Sequence, residues 1–157
     1  MSLLALNLLL AAGWVAASGD VSGANLALGF AVGFAALYLT RPLFGPTRYF
    51  ARARGAVSLT VYFVYDLVVS SFRVAWDVLT PPITARPGLI VVPLDAETET
   101  EILLTANLIS LTPGTLSLDV SEDRKALIVH AMFAEDADAV KRDLKQGIER
   151  RVLEAFR

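Results

Sequence analysis

Apolar side chains dominate the first forty positions of the chain in two runs, residues 1–17 and 24–38. Between them, residues 18–23 form a polar break that holds two glycines, two serines and the only charge of the region, Asp20. Such residues allow the backbone to turn sharply with its polar groups satisfied. The pattern predicts a transmembrane α-helical hairpin over residues 1–40. A secretory signal is the competing interpretation, but no basic residue precedes the first run and a second apolar run follows at once.

Both apolar runs are short for a membrane crossing. A helix rises about 1.5 Å per residue, so a hydrocarbon core of about 30 Å requires about 20 apolar residues. Short spans are accommodated by local thinning of the bilayer or by packing against other helices. Gly29 and Gly33 form a small-xxx-small spacing, which predicts a close helix contact on that face.

Segment 41–55 is basic and rich in turn residues. It holds four arginines and no acid: Arg41, Arg48, Arg52 and Arg54. Arginines directly after a span mark the cytoplasmic side, so two crossings place the N-terminus and segment 41–55 in the cytoplasm. Two prolines and a glycine predict a loop here. The arginines are expected to interact with anionic membrane lipid and not with nucleic acid.

Segment 56–80 is long enough to span a membrane, yet it contains Asp66, Arg73 and Asp77. At 100° per residue these three positions fall within about 40° of one another, beside Tyr62 and Ser70. A single narrow polar stripe therefore follows an otherwise apolar helix. Three charges facing lipid are excluded, because each costs about 2.5–3.5 kcal/mol at the bilayer centre.

Two placements of this amphipathic or third membrane helix remain. It lies at the cytoplasmic interface with its stripe toward water, or it is embedded with its stripe against another subunit. A helix that stays on the cytoplasmic side or re-enters the membrane partially is favoured, because a third crossing would put the following domain outside. The stripe is either an ion or proton relay, or an interhelical polar seam or water-exposed face. The seam or water-exposed face is favoured, since the sequence offers no second stripe in this chain. Asp66, Arg73 and Asp77 are predicted to contact other subunits or water.

Residues 81–157 predict a small cytoplasmic α+β domain in the order β-α-β-β-α, with its helices on one face of a three-stranded sheet. The strands follow from β-branched runs and period-two alternation, and the helices from apolar residues at i, i+4 spacing. The triplet Thr112-Pro113-Gly114 is a helix stop. The predicted elements are strand 89–94, helix 98–111, strand 115–120, strand 126–133 and helix 136–156.

No catalytic, cofactor-binding or metal-binding constellation is predicted in this domain. His130 is the only histidine and has no acidic or serine partner at a recognisable spacing, which favours a structural role. The clustered acids precede helices, where capping and the helix dipole account for them. Cysteine is absent, so disulfides and thiolate metal sites are excluded.

Composition agrees with a membrane chain attached to a soluble domain. Apolar residues make up 55% of the sequence, charged residues 19%, and the mean hydropathy is +0.55. The net charge of −2 is the sum of two halves with opposite net charge. Residues 1–88 hold three acids and six bases, and residues 89–157 hold thirteen acids and eight bases. A basic membrane half and an acidic soluble half are expected.

One stretch of the soluble half resembles a known signature. Residues 106–123, which include Leu111-Thr112-Pro113-Gly114-Thr115, closely resemble the E subunits of the Mrp-type multisubunit cation/proton antiporters. The likeness extends to residues 127–131 and 149–156, and the hairpin agrees in length and character. Ser110 departs mildly from the usual family pattern.

The resemblance implies an accessory subunit of a bacterial inner-membrane complex that exchanges sodium or another monovalent cation for protons. In that family the large subunits, which resemble the membrane subunits of respiratory complex I, contain the ionisable relays. The E subunits have no recognised catalytic centre, so the expected partners are the other subunits and membrane lipid. A stand-alone membrane-anchored binding or sensor module is the alternative. A channel of oligomerised hairpins is disfavoured, because the predicted hairpin has no intramembrane charge.

Overall fold

The structure is a computed structural model that describes residues 2–157; Met1, where the first predicted run begins, lies outside these residues. The chain divides into two compact units, the first ending at Phe50 and the second comprising Ala51–Arg157. Helix α1 is Leu3–Ser18 and helix α2 is Gly23–Leu39. A short 3-10 helix, Arg41–Leu43, follows, and helix α3 is Tyr49–Leu79.

The first unit is a helical hairpin, and the predicted polar break forms its turn. Gly19 ends α1 with a left-handed φ of 68°, and the Ser22 hydroxyl accepts the Asn25 N–H at 3.2 Å to cap α2. Gly29 and Gly33 are buried, as the small-xxx-small spacing predicts. A Cβ added at Gly29 would lie 2.9 Å from Cβ of Trp14, so only glycine allows α1 to approach this closely.

Polar and aromatic contacts complete the first unit. Asn7 is fully buried, and its Nδ2 donates to the Tyr49 hydroxyl at 2.8 Å. Phe50 packs edge-on against Phe34 and Tyr38, with ring centroids 5.3 and 5.5 Å apart. The first residues of α3 are therefore held against α2.

Helix α3 begins at Tyr49, so the loop predicted over residues 41–55 is shorter than expected, and Arg52 and Arg54 lie in the helix. Among residues 2–157, α3 is the one helix that has both the length and the apolar composition of a full-length membrane span. Helices α1 and α2 are shorter apolar helices of 16 and 17 residues.

The second unit contains a mixed α and β domain with the predicted order of elements. The strands are β1, Gly88–Pro93; β2, Thr115–Val120; and β3, Ala126–Ala131, in the order β1-β3-β2, all antiparallel. Helix α4, Glu99–Leu111, connects β1 to β2. Strand β3 ends at Ala131, two residues before the predicted boundary at 133. Beyond its end, Phe133 forms an isolated one-residue bridge with Arg86.

The C-terminal helix is interrupted, which the sequence pattern did not predict. Helix α5, Ala137–Leu144, and helix α6, Arg150–Phe156, are joined by a π-helix at Lys145–Glu149. Such a widened turn frees carbonyl groups. The Arg151 guanidinium donates to the carbonyls of Gln146 and Gly147 at 3.0 and 2.9 Å and satisfies them.

One face of the sheet forms the core of the second unit. Ile90, Val92, Leu127 and Val129 are buried against Ile109 of α4, and against Ile148 and Val152 of the C-terminal helices. Leu59 of α3 belongs to the same cluster. The opposite face is exposed and apolar around His130, with Leu89 and Leu116 as its neighbours in register.

Candidate functional site

The polar stripe predicted on α3 faces the domain that follows it. One close contact is at Gly55, where an added Cβ would lie 2.5 Å from the carbonyl oxygen of Glu154 and 2.8 Å from Cα of Ala155. These are backbone atoms of α6, which cannot move aside as a flexible side chain can. Gly55 therefore permits a backbone contact between α3 and α6.

Tyr62 makes the second contact, at the π-helix. Its hydroxyl lies against Gly147, where any Cβ would collide with it. The Arg151 guanidinium stacks 3.8 Å above the Tyr62 ring, a cation–π arrangement. The residue that satisfies the π-helix carbonyls thus also holds α3 in place.

Asp66, Ser70 and Arg73 line a cavity of about 130 Å³ further along α3. The opposite wall is the Thr112-Pro113-Gly114 turn, together with Asp143 of α5. Two features that the sequence presents separately, the polar stripe and the helix stop, therefore meet across one cavity.

Threonine hydroxyls hold this helix stop in shape. Thr112 donates its hydroxyl to the carbonyl of Leu108 at 3.1 Å, and Thr115 donates to that of Ile109 at 2.7 Å, so both satisfy carbonyls at the end of α4. Gly114 adopts a left-handed φ of 90°, which favours glycine. The Thr-Pro-Gly-Thr sequence is explained by chain reversal.

The remaining stripe residues contact the segment around β1 and the end of β3. The Arg73 guanidinium lies 4.2 Å from the centre of the Phe133 ring, and its side chain is exposed on one side. Asp77 is only 5% exposed. Its Oδ1 accepts the backbone N–H of Thr84 at 2.7 Å and the Thr84 hydroxyl at 2.5 Å. Asp77 therefore ties the linker after Pro82 to the end of α3.

Replacing Asp77 with alanine should release this linker. The variant leaves two Thr84 donors without their charged acceptor, a loss of about 1.5–3 kcal/mol of local stability. Hydrogen exchange of residues 80–88 in the full chain should accelerate accordingly. Glu122→Ala, at an exposed turn position, is the matched control and should leave this segment unchanged; equal exchange in both variants would contradict the role of Asp77.

The structure thus provides a partner for the stripe within the same chain. Spacing along the sequence indicated none, because Gly147, Phe133 and Thr84 have no charge, and of the three only Thr84 lies near its partner, seven residues after Asp77. The contact of Asp66, Arg73 and Asp77 with other subunits stays a prediction. Gly55 is the one residue whose position could have indicated this packing from the sequence. At 100° per residue it lies on the same helix face as Asp66, and a glycine there allows a close contact.

The acidic side chains do not form a metal site in the part of the chain that the structure describes. Residues 2–157 contain no group of three or more His, Asp or Glu placed to hold a metal ion. The cavity beside Asp66 combines acidic Asp66 and Asp143 with basic Arg73. Such a mixed lining suits a seam between helices or a contact with a polar surface.

The sequence matches a family model described as Na+/H+ ion antiporter subunit over residues 7–155. Similar proteins include the E subunit of the Na(+)/H(+) antiporter of Alkalihalophilus pseudofirmus, 34% identical over 95% of this chain and 94% of that protein. The corresponding E subunit of the Na(+)/H(+) antiporter of Bacillus subtilis is 32% identical over 97% of this chain and 96% of that protein. Both alignments extend over the two units.

Two solved structures are similar to the chain. One chain in the structure of the Mrp complex from Dietzia sp. DQ12-45-1b matches with a TM-score of 0.52 and 28% identity, over 62% of this chain and 92% of that chain. A chain of the archaeal membrane-bound sulfane sulfur reductase, a respiratory membrane complex, matches with a TM-score of 0.58 and 20% identity, over 96% of both chains. The second likeness concerns the fold alone.

Proposed function

The chain belongs to the family of Na+/H+ antiporter E subunits, and we propose that it is an accessory subunit of a multisubunit cation/proton antiporter in the bacterial inner membrane. The complex would exchange Na+ or another monovalent cation for protons. The observation that carries the proposal is the family match over residues 7–155, which includes the hairpin and the soluble domain together. The partners are then the other subunits and the surrounding lipid.

The proposed topology is a membrane hairpin with both chain ends in the cytoplasm. Helices α1 and α2 have 16 and 17 residues and a high apolar content, and their tight contact at Gly29 and Gly33 supports insertion as a pair. At about 1.5 Å per residue each is shorter than a hydrocarbon core of about 30 Å. Helices of neighbouring subunits would compensate for this mismatch.

The proposed role is non-catalytic support of assembly and stability. The stripe residues are engaged in holding α3 to the domain: Asp77 bonds to Thr84, and Arg73 lies over Phe133. Arg73 is exposed on its other side and is therefore the stripe residue best placed for a contact with a neighbouring subunit. This use of the charges favours a structural seam over an ion relay.

Affinity purification of the tagged full chain from its native membrane in mild detergent tests the proposal. We expect several large polytopic antiporter-type subunits to be recovered with it. Recovery of the chain alone would contradict the proposal and favour a stand-alone membrane-anchored binding or sensor module.

Arg73→Ala should reduce the recovery of those subunits. Loss of a charge-assisted contact of about 1.5 kcal/mol weakens association about tenfold. Arg150→Ala is the matched control, because Arg150 is an exposed helical arginine whose ion-pair partner, Glu154, lies on the same helix. Equal recovery with both variants would remove Arg73 from the interface.

A further inference from the structure

Helix α3 has a second face, which extends from Trp76, beside the stripe, to Val57, on the side opposite Asp66, and its own domain leaves this face largely exposed. Large apolar side chains recur there at helical spacing and remain largely exposed: Val57, Val61, Val68, Phe72, Trp76 and Leu79. Phe72 and Trp76 are 73% and 72% exposed. A contiguous apolar row of this kind marks an interaction surface, unlike single exposed residues. We define these six residues as the outer face of α3.

The contacts of α3 with its domain argue against a membrane crossing. They extend from Gly55, against α6, to Asp77, against Thr84. This stretch is about 33 Å long at about 1.5 Å per residue, which equals the thickness of the hydrocarbon core. If α3 crossed the bilayer, the domain beside it, with charged pairs such as Arg150–Glu154, would enter hydrocarbon as well. Such a burial of charge is excluded energetically.

Basic residues lie at the beginning of the same helix. Arg52 and Arg54 are exposed, and neither has an ion-pair partner in residues 2–157. At 100° per residue Arg54 points in the same direction as Phe72, so it extends the outer face with a positive charge. Arginine at the headgroup level attracts anionic lipid by about 1 kcal/mol per residue. Tryptophan favours the same interfacial depth.

We propose that the outer face of α3 lies in the cytoplasmic interface of an anionic phospholipid bilayer, while the polar stripe on its other side carries the soluble domain. The helix is parallel to the membrane. The helix is rotated about its long axis so that the stripe faces the soluble domain. The sequence predicted instead an interfacial helix whose stripe faces water. The occupant is lipid because the unpaired Arg54 and an apolar row with tryptophan occur on one face, whereas Arg52 projects from the other side of the helix. The inference requires the membrane hairpin of the proposed topology but not the antiporter complex.

Trp76 provides the test, because the chain has only two tryptophans. The full-length Trp14→Phe variant, reconstituted in phosphatidylethanolamine and phosphatidylglycerol vesicles, reports on Trp76 alone. Brominated lipids carry the quencher either near the glycerol or near the chain end. We expect stronger quenching by the shallow bromines. Trp76 lies about 40 Å along the helix from Tyr49, at about 1.5 Å per residue, so attachment through the hairpin alone would not bring it to the bromines.

Two outcomes would overturn the proposal. Stronger quenching by the deep bromines would mean that α3 crosses the bilayer. No quenching by either lipid would mean that the outer face is exposed to water or covered by protein, a second copy of the chain included. Neither result bears on the recovery of antiporter subunits, so this proposal and the proposed function can fail independently.

A second measurement covers the case in which Trp14→Phe does not fold, since Trp14 packs against Gly29. The chain lacks cysteine, so single cysteines can be introduced and spin-labelled at will. Labels at Val61 and Val68 should be more accessible to oxygen than to a water-soluble nickel chelate. A label at Glu122, in an exposed turn, is the control and should show the opposite preference. The same preference for the chelate at all three positions would overturn the proposal.

Discussion

Replacing Gly55 with valine should separate α3 from α6 in the second unit. The new side chain would begin 2.5 Å from the Glu154 carbonyl oxygen and 2.8 Å from Cα of Ala155. Because these are backbone atoms, the clash is relieved only by moving one helix. Overpacking of this kind costs about 1–3 kcal/mol. Leu59, one turn further along α3, would lose part of its burial as well.

Hydrogen exchange of the full chain in detergent measures this separation. Amides of residues 51–66 and 150–156 should exchange about ten- to hundredfold faster in Gly55→Val, which corresponds to a local destabilisation of about 1.4–2.8 kcal/mol. Gly13→Val is the control, since Gly13 is also helical and an added Cβ meets no atom within 4 Å. If the two variants exchange alike, the close approach at Gly55 does not hold α3.

Replacing Glu101 with glutamine should destabilise the soluble domain through the start of α4. Glu101 is 3% exposed, and its Oε2 accepts the backbone N–H groups of Glu97 and Thr98 at 3.0 and 3.1 Å. Its Oε1 accepts from Arg157 Nε at 3.3 Å. The Thr98 hydroxyl accepts the Glu101 N–H in return, which completes a capping box. Loss of the charge should lower the free energy of unfolding by about 1.5–3 kcal/mol at neutral pH.

The effect of Glu101→Gln depends on pH. Burial by itself raises the pKa of Glu101, but the N–H groups of Thr98 and Glu97 and the charge of Arg157 outweigh it and lower the pKa to about 2, from an ordinary value of 4.5. A depressed pKa contributes stability above the unfolded value, and this contribution is lost as pH falls through the folded value. The difference between wild type and variant should therefore be constant above about pH 5 and shrink between 4.5 and 2.

Urea unfolding of the domain, followed by hydrogen exchange in residues 97–111 at several pH values, tests this dependence. Glu99→Gln is the matched control in the same helical turn. Glu99 is 80% exposed at its side chain, and within residues 2–157 its one ion pair is with Arg124, so its replacement should cost less than about 0.5 kcal/mol. A pH-independent difference for Glu101→Gln would show that the carboxylate is not held ionised by the cap.

Local patterns account for most of the observed elements. The two apolar runs predict α1 and α2, and the polar break predicts their turn, because residue type and spacing act within a few positions. The alternation in residues 115–120 predicts β2, and Thr112-Pro113-Gly114 predicts the end of α4. The π-helix at Lys145–Glu149 was not foreseen, since the apolar spacing through it continues as in an α-helix.

The candidate site was predicted only in part. Asp66, Arg73 and Asp77 do lie on one face of α3, as their periodicity requires, but the groups that face Asp66 and Arg73 lie far away in the sequence. A buried glutamate shows the same limit: Glu149 accepts the N–H groups of Asp95 and Ala96, more than fifty residues distant, at 2.5 and 3.1 Å. The spacing of residues along the chain does not predict contacts between such distant pairs.

The order of residues was sufficient to predict the hairpin pattern, the α+β order, the position of the stripe on one helix face and the family. These depend on short-range periodicity, turn chemistry and a long signature. The direction in which the stripe faces was settled by tertiary packing alone. A helix with one polar and one apolar face has the same periodicity whether its charges face water or protein. The close contacts at Gly55 and Gly147 turn the charges of α3 toward its own domain and leave its apolar face outside.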